Sequence, residues 1–225
     1  MPNPLRKWTE VSWEPRDLKK RPELTMAIAQ IMSLWSRIEF QQTLLLTTIL
    51  GDRGAPVGVR MYQSLTGTAA QNNVLEAAFT AYGLPQRDEF RDLLQVLKKR
   101  ARERNAVVHS MWGVSEQYPD SLIAVPTDAL ALSVADEAWT RSVLKDQGLQ
   151  IIPGQTPPLV PGSMIYDLRD FKAIARRMVE ALSAIEALRA AVIAHRREAH
   201  EKLLAQGQRP PAPPPSPLGQ ETTAE

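Results

Sequence analysis

The chain has no cysteine, which removes disulfide scaffolds, thiolate zinc sites and thiol nucleophiles from consideration and is compatible with a reducing compartment. It also lacks a long hydrophobic run. The longest aliphatic stretch, TLLLTTIL at 43–50, falls far short of the roughly 20 residues that span a bilayer. The first residues, MPNPLRKWTEVSWEP, carry no apolar run of signal-peptide length. These absences lead us to expect no membrane partner and a cytoplasmic location. An excess of one charge is missing too: Lys plus Arg number 27 against 25 Asp plus Glu, a formal +2, which by itself gives no case for polyanion binding. No phosphate-cradling glycine loop appears, since Gly51-Asp52-Arg53-Gly54 has neither the lysine nor the spacing of a P-loop. Without a G-x-S-x-G elbow, a serine hydrolase has no anchor either.

What is present describes an ordinary globular chain. A hydrophobic fraction of 44% and a charged fraction of 23% allow a sizeable core and exclude collagen-like or wholly disordered readings. Proline divides the 225 residues. The arm at 1–21 mixes Trp8 and Trp13 with charge and proline and is expected to be irregular, packing by its aromatics. The tail at 206–225, centred on RPPAPPPSP, is expected to be disordered with polyproline-II character.

Between these ends, 22–205 reads as one domain with four long helical patterns. The first opens with Pro22 near its first turn and closes before Gly51; its apolar set is Ile28, Ile31, Trp35, Ile38, Leu45 and Ile49, interrupted by Gln42. The second runs from about Pro56 to Tyr82, with a Leu-Thr-Gly-Thr centre that weakens it. The third spans about Pro85 to Ser110, and the fourth, about Asp167 to Leu204, carries Phe171, Ile174, Met178, Leu182, Ile185, Leu188 and Val192. Between the last two, 111–166 holds short runs such as LIAVP, LALSV and QIIPG, read as two or three strands or extended segments. No repeat of solenoid period is evident.

The end of the third helix reads RERNAVVHSMWG, 102–113. At about 100° per residue, Phe90, Leu94, Leu97, Ala101 and Val108 form one stripe. Arg104 falls inside it, Asn105 at its edge and His109 one turn further along that edge. An arginine in a core-facing seam is costly unless it snorkels, is paired with a carboxylate such as Glu39, or opens onto a solvated groove. With Asn105 and His109 it supplies a fixed cation, an amide and a group that titrates near neutrality. Such a set can cleave a phosphodiester without metal: imidazole moves the proton, and guanidinium neutralises charge growing on the phosphoryl oxygens.

The string Arg104-Asn105-Ala106-Val107-Val108-His109, late in a helix of a helical bundle and followed by Ser110-Met111-Trp112-Gly113, resembles the signature of the HEPN superfamily: arginine, a polar residue, three variable residues, histidine. The Trp-bearing first helix with Glu39 and the long terminal helix are similar too, so the resemblance covers roughly 22–205. It implies a mainly α fold, a four-helix up-and-down bundle with a short extended insert at about 111–166. It further implies a homodimer whose facing motifs cut RNA without metal or cofactor. His109 is then the general acid/base, Arg104 binds the scissile phosphate, and Asn105 orients the 2′-hydroxyl or the histidine. The products expected are a 2′,3′-cyclic phosphate and a 5′-hydroxyl. A toxin or defence effector restrained by an antitoxin-like protein fits this reading; some HEPN proteins are instead non-catalytic binding or dimerisation modules.

Nearby charge suits an RNA partner. The run Lys98-Lys99-Arg100-Ala101-Arg102-Glu103-Arg104 places Lys98, Lys99 and Arg102 where they could hold flanking phosphates, although a solvated helix face explains the same run equally well. Trp112 either caps the cleft beside His109 or packs the insert against the bundle. His195 and His200 are five apart, about 140° around a helix rather than on one face, so no metal site is expected there.

Overall fold

The computed structural model describes residues 2–5, 11–13, 15–135, 160 and 162–206. It is mainly helical, with a small antiparallel sheet. Helix α1 (Pro22–Ser64) places Pro22 in its first turn, where the missing N–H has no helical partner to lose. At Gly51 the backbone leaves the helix with φ 68° and ψ 177°, a region that essentially only glycine enters. Two carbonyls of the turn before this break, those of Thr48 and Ile49, accept hydrogen bonds from the Arg196 guanidinium, the latter at 3.0 Å. That guanidinium occupies the space beside Gly51: a Cβ there would stand 2.7 Å from Arg196 Nη2. The expected stop at Gly51 is therefore real, but the chain resumes its helix at once.

The expected second helix, 56–82, is divided. Its first part completes α1, and Leu65-Thr66-Gly67 interrupts it with an extended Leu65 and a positive φ of 95° at Gly67. Helix α2 (Thr68–Ala81) follows. Helices α3 (Arg87–Val108) and α4 (Leu168–Ala205) match the expected third and fourth. The helical part thus has more pieces than the four expected.

The apolar periodicities bury as read. Ile31, Trp35, Ile38, Leu45 and Ile49 of α1 meet the α4 series from Phe171 to Val192 in one core. Phe79 of α2 stacks on Phe90 of α3 with centroids 4.5 Å apart. Gln42, the polar interruption, is buried and donates through Nε2 to Asn72 Oδ1 at 3.0 Å.

Strands β1 (Asn3–Pro4), β2 (Ser110–Gly113), β3 (Ser121–Pro126) and β4 (Met164–Asp167) form an antiparallel sheet in the order β1-β4-β3-β2. Alternation along β3 serves two cores: Leu122 and Ala124 join the helical one, Ile123 and Val125 a smaller one with Leu5, Trp13 and Leu130. The arm is thus more ordered than expected. It supplies β1, a 3₁₀ helix at Pro15–Lys20, and Trp13, whose ring lies 2.7 Å from where a Gly113 Cβ would stand. LIAVP is a strand as read. LALSV is not: 127–135 is helical, with 129, 130 and 133 turned inward while Leu132 and Val134 face solvent. Its leucines and alanine are strong helix formers, and burial at spacings of three and four overrode the apparent alternation. Trp8, QIIPG and the tail from 207 lie outside the described residues. No helix among those described is long and apolar enough to cross a membrane.

Helix α4 begins with a capping box, in which the Asp167 side chain accepts from the N–H groups of Arg169 and Asp170 and Asp170 accepts from Asp167 N–H. Desolvation alone would raise the Asp167 pKa. Hydrogen bonds from the Arg169 side chain and from the two backbone amides outweigh it and hold the carboxyl below its ordinary value. Its folded-state pKa being depressed, this stabilisation is present above the unfolded value of about 3.9 and is lost as pH falls through the folded one.

Two outcomes follow. Gly51→Ala should lower stability by about 1–3 kcal/mol in chemical denaturation, and by less in an Arg196→Ala background, where the clash is gone. Asp167→Ala should cost about 0.5–2 kcal/mol at neutral pH, and the gap from wild type should close as the pH drops below about 4.

Candidate active site at the end of helix α3

Helix α3 ends where its carbonyls find partners outside the helix. The last regular bond runs from His109 N–H to the Asn105 carbonyl at 2.9 Å. Beyond it, Ser110 Oγ donates to the Ala106 carbonyl at 2.6 Å and Trp112 Nε1 to the Val107 carbonyl at 2.9 Å. Side chains of β2 thus close the helix that precedes them, as orphan C-terminal carbonyls require. Trp112 also packs on Tyr166 and Phe171, with centroids 5.2 and 5.5 Å away. It anchors the sheet to the helical core and does not line the cleft described next.

The β2–β3 register pairs Ser110 with Pro126. One residue further, the His109 carbonyl accepts from both Thr127 N–H, at 3.2 Å, and Thr127 Oγ1, at 2.8 Å. This extension sets Asp128 beside His109, nineteen positions earlier in the chain. An open cleft of about 450 Å³ lies here, within the common range for small-molecule sites of about 300–1,000 Å³. Asn105, His109, Ser110, Thr127 and Asp128 supply its polar lining; Ala124, Pro126, Met164 and Tyr166 supply most of the rest.

The structure brings Asn105 and His109 together in this cleft, both exposed. Arg104 is half-buried on the core stripe, as expected, and does not line the cleft. It connects to it through Nη1, which donates to Asn105 Oδ1 at 3.0 Å. Arginine has only donors, so the acceptor must be the amide oxygen, and Asn105 Nδ2 is left as the available end. Arg104 makes no ion pair among the described residues. Glu39, one carboxylate that could have paired with it, accepts from Trp35 Nε1 at 2.6 Å, and adds to the burial that raises the Tyr62 pKa.

The basic run divides by pairing. Glu103, its one acid, is held by Arg177 at 2.9 Å and by Arg100 at 3.1 Å. Lys98, Lys99 and Arg102 are exposed and have no ion pair among the described residues. Arg102 lines a second hollow of about 250 Å³ between α3 and α4, which shares Ala106 and Tyr166 with the first; Lys98 and Lys99 line neither. Burial, then the Asp170 and Glu103 carboxylates, raise the Tyr166 pKa, so its phenol stays protonated. No cluster of metal-binding side chains occurs among the described residues, and His195 and His200 stay apart from the cleft on α4.

Thr127, Asp128 and Tyr166 escaped sequence reading. Thr127 and Asp128 depend on the register of β2 with β3, and Tyr166 on that of β3 with β4; LALSV, the run just after Thr127 and Asp128, looks extended in sequence. Trp112→Phe keeps an aromatic ring but strands the Val107 carbonyl, and is expected to cost about 1–3 kcal/mol in denaturant unfolding. In comparisons with known proteins, no family model, no curated protein and no solved structure matches this chain, so its function must be read from the site itself.

Proposed function

We propose that the protein is a metal-independent endoribonuclease whose active site is the cleft at the end of α3. The observation that carries the reading is the shared cleft of Asn105 and His109, with Arg104 tied to Asn105 by a hydrogen bond and in no ion pair among the described residues. Exposed imidazole is suited to removing the 2′-hydroxyl proton and returning one to the leaving 5′-oxygen. Arg104, at the cleft margin, meets the scissile phosphate and offsets charge developing on its oxygens. Asn105 offers its amide N–H groups to a substrate oxygen. The products are a 2′,3′-cyclic phosphate and a 5′-hydroxyl, and no bond in this scheme requires a metal.

Lys98, Arg102, Ala106 and His109 follow one another at spacings of four and three, which sets the exposed cations on the helix face that leads to the cleft. With Glu103 neutralised by its arginines, they form a track for flanking phosphates. In this reading the bundle is HEPN-like, and two copies face each other across their clefts. Met111, 41% exposed on β2, is an apolar side chain such a contact would cover. A toxin or defence role with an antitoxin-like partner is the biological setting that suits the activity. The absence of Arg104 from the cleft lining favours the second reading, a non-catalytic HEPN-like module for binding or dimerisation.

Cleavage of labelled RNA in EDTA separates the two. His109→Ala is expected to slow cleavage by about 10²–10⁴-fold, with Arg104→Ala also impaired; equal cleavage by all three proteins would clear the motif of responsibility. The double change Lys98→Glu, Arg102→Glu should weaken single-strand binding and reduce the slope of log K against log salt by about 1.4, for two phosphate contacts at about 0.7 each.

A further inference from the structure

The cleft beside His109 contains no Lys or Arg among its described lining residues and one carboxylate, that of Asp128. A phosphate is poorly served there. A flat, neutral heterocycle is better served, because Ala124, Met164 and Tyr166 offer an apolar floor while polar groups stand at the rim. The polarity of that rim is defined. Arg104 occupies Asn105 Oδ1, so Asn105 presents a donor, Nδ2. Asp128 accepts one bond locally, from Ala129 N–H at 2.9 Å through Oδ1, and keeps its remaining lone pairs for a ligand.

Asn105 and Asp128 line the same cleft, and backbone hydrogen bonds link the segments that carry them. Asn105 carbonyl accepts from His109 N–H, and His109 carbonyl accepts from Thr127, the residue before Asp128. Ser110 Oγ and Thr127 Oγ1 already donate to the Ala106 and His109 carbonyls, so besides the His109 imidazole the cleft offers Asn105 Nδ2 as a donor and the Asp128 carboxylate as a two-oxygen acceptor around an apolar floor.

We infer that this cleft is a base-recognition pocket for guanine, with Asp128 as its specificity-determining residue. Among the four RNA bases only guanine presents a carbonyl acceptor followed by two adjacent N–H donors, O6, N1–H and N2–H₂, which match Asn105 Nδ2 and the two oxygens of Asp128. Adenine sets a ring acceptor where guanine has N1–H. Cytosine turns two acceptors toward the carboxylate, and uracil offers one donor but sets its second carbonyl against it. The substrate oxygen held by Asn105 is then the base carbonyl, with the ribose of the same nucleotide at His109. This assignment rests on the ribonuclease reading for its catalytic consequence, cutting next to guanosine, but not for binding.

Calorimetry with the 3′-monophosphates of guanosine, adenosine, cytidine and uridine tests it on the full chain as wild type, His109→Ala and Asp128→Asn. Guanosine 3′-monophosphate should bind at least tenfold more tightly than the others, in line with a bidentate pair, and His109→Ala should lower all four affinities by a common factor while the guanine preference stays. Asp128→Asn should bring the four within about threefold of one another. That variant retains an oxygen to accept from Ala129 N–H, and an unchanged circular dichroism spectrum would confirm its fold. Uniform affinity, no binding of any of the four, or a guanine preference that survives Asp128→Asn would each overturn the assignment. Guanine binding without His109-dependent cleavage would keep the pocket and end the nuclease reading. His109-dependent cleavage indifferent to the base would do the reverse.

Discussion

Two carbonyls at the end of α3 decide the shape of the site. Those of Ala106 and Val107 have no amide four residues on to bond them, and Ser110 Oγ and the Trp112 indole take that place. The chain must therefore turn directly from helix into β2, and Trp112 must lie on the helical core against Tyr166 and Phe171. From this junction the hairpin returns Thr127 to the His109 carbonyl, and the cleft is what remains between the helix end and the sheet. Of the two roles that the sequence offers Trp112, cleft cap or packing of the insert against the helices, it takes the second, and that fastening makes the cleft possible.

A second fastening holds the frame. The long contact of α1 with α4 buries aliphatic side chains along both helices, and burial of this kind is the main stabilising term in a fold. Arg196 adds a directional element. It bonds the carbonyls exposed where α1 breaks at Gly51 and fills the space a side chain there would need. The break is accordingly specified from both helices, by a glycine on one and an arginine on the other.

Electrostatics near the site are ordered by pairing rather than by net charge, which is only +2. Glu103 is consumed by Arg100 and Arg177, and Arg104 turns to Asn105. Lys98, Lys99 and Arg102 keep their charge toward solvent on α3. In the proposed reading the phosphates follow that exposed helix face while a base enters a cleft lined by no described cation and by one carboxylate, that of Asp128, so the two parts of a nucleotide meet surfaces of different character.

Much of the helical architecture was legible from residue order alone, because period-3.6 burial is a local property: Ile31, Trp35 and Ile38 in α1, and the α4 series from Phe171 to Val192, occupy the core as their spacing required. The stop at Gly51 and the exposed edge position of Asn105 and His109 were legible for the same reason. LALSV misled because leucine and alanine at alternate places satisfy either period over so short a run, and only packing against the second core chose the helix. The pairing of Arg104 with Asn105 instead of Glu39, the return of Thr127 and Asp128 to His109, and Tyr166 on the cleft floor were beyond reach of the sequence. Each depends on strand register or on which of several neighbours a flexible side chain reaches, and those are settled by contacts between residues far apart in the chain.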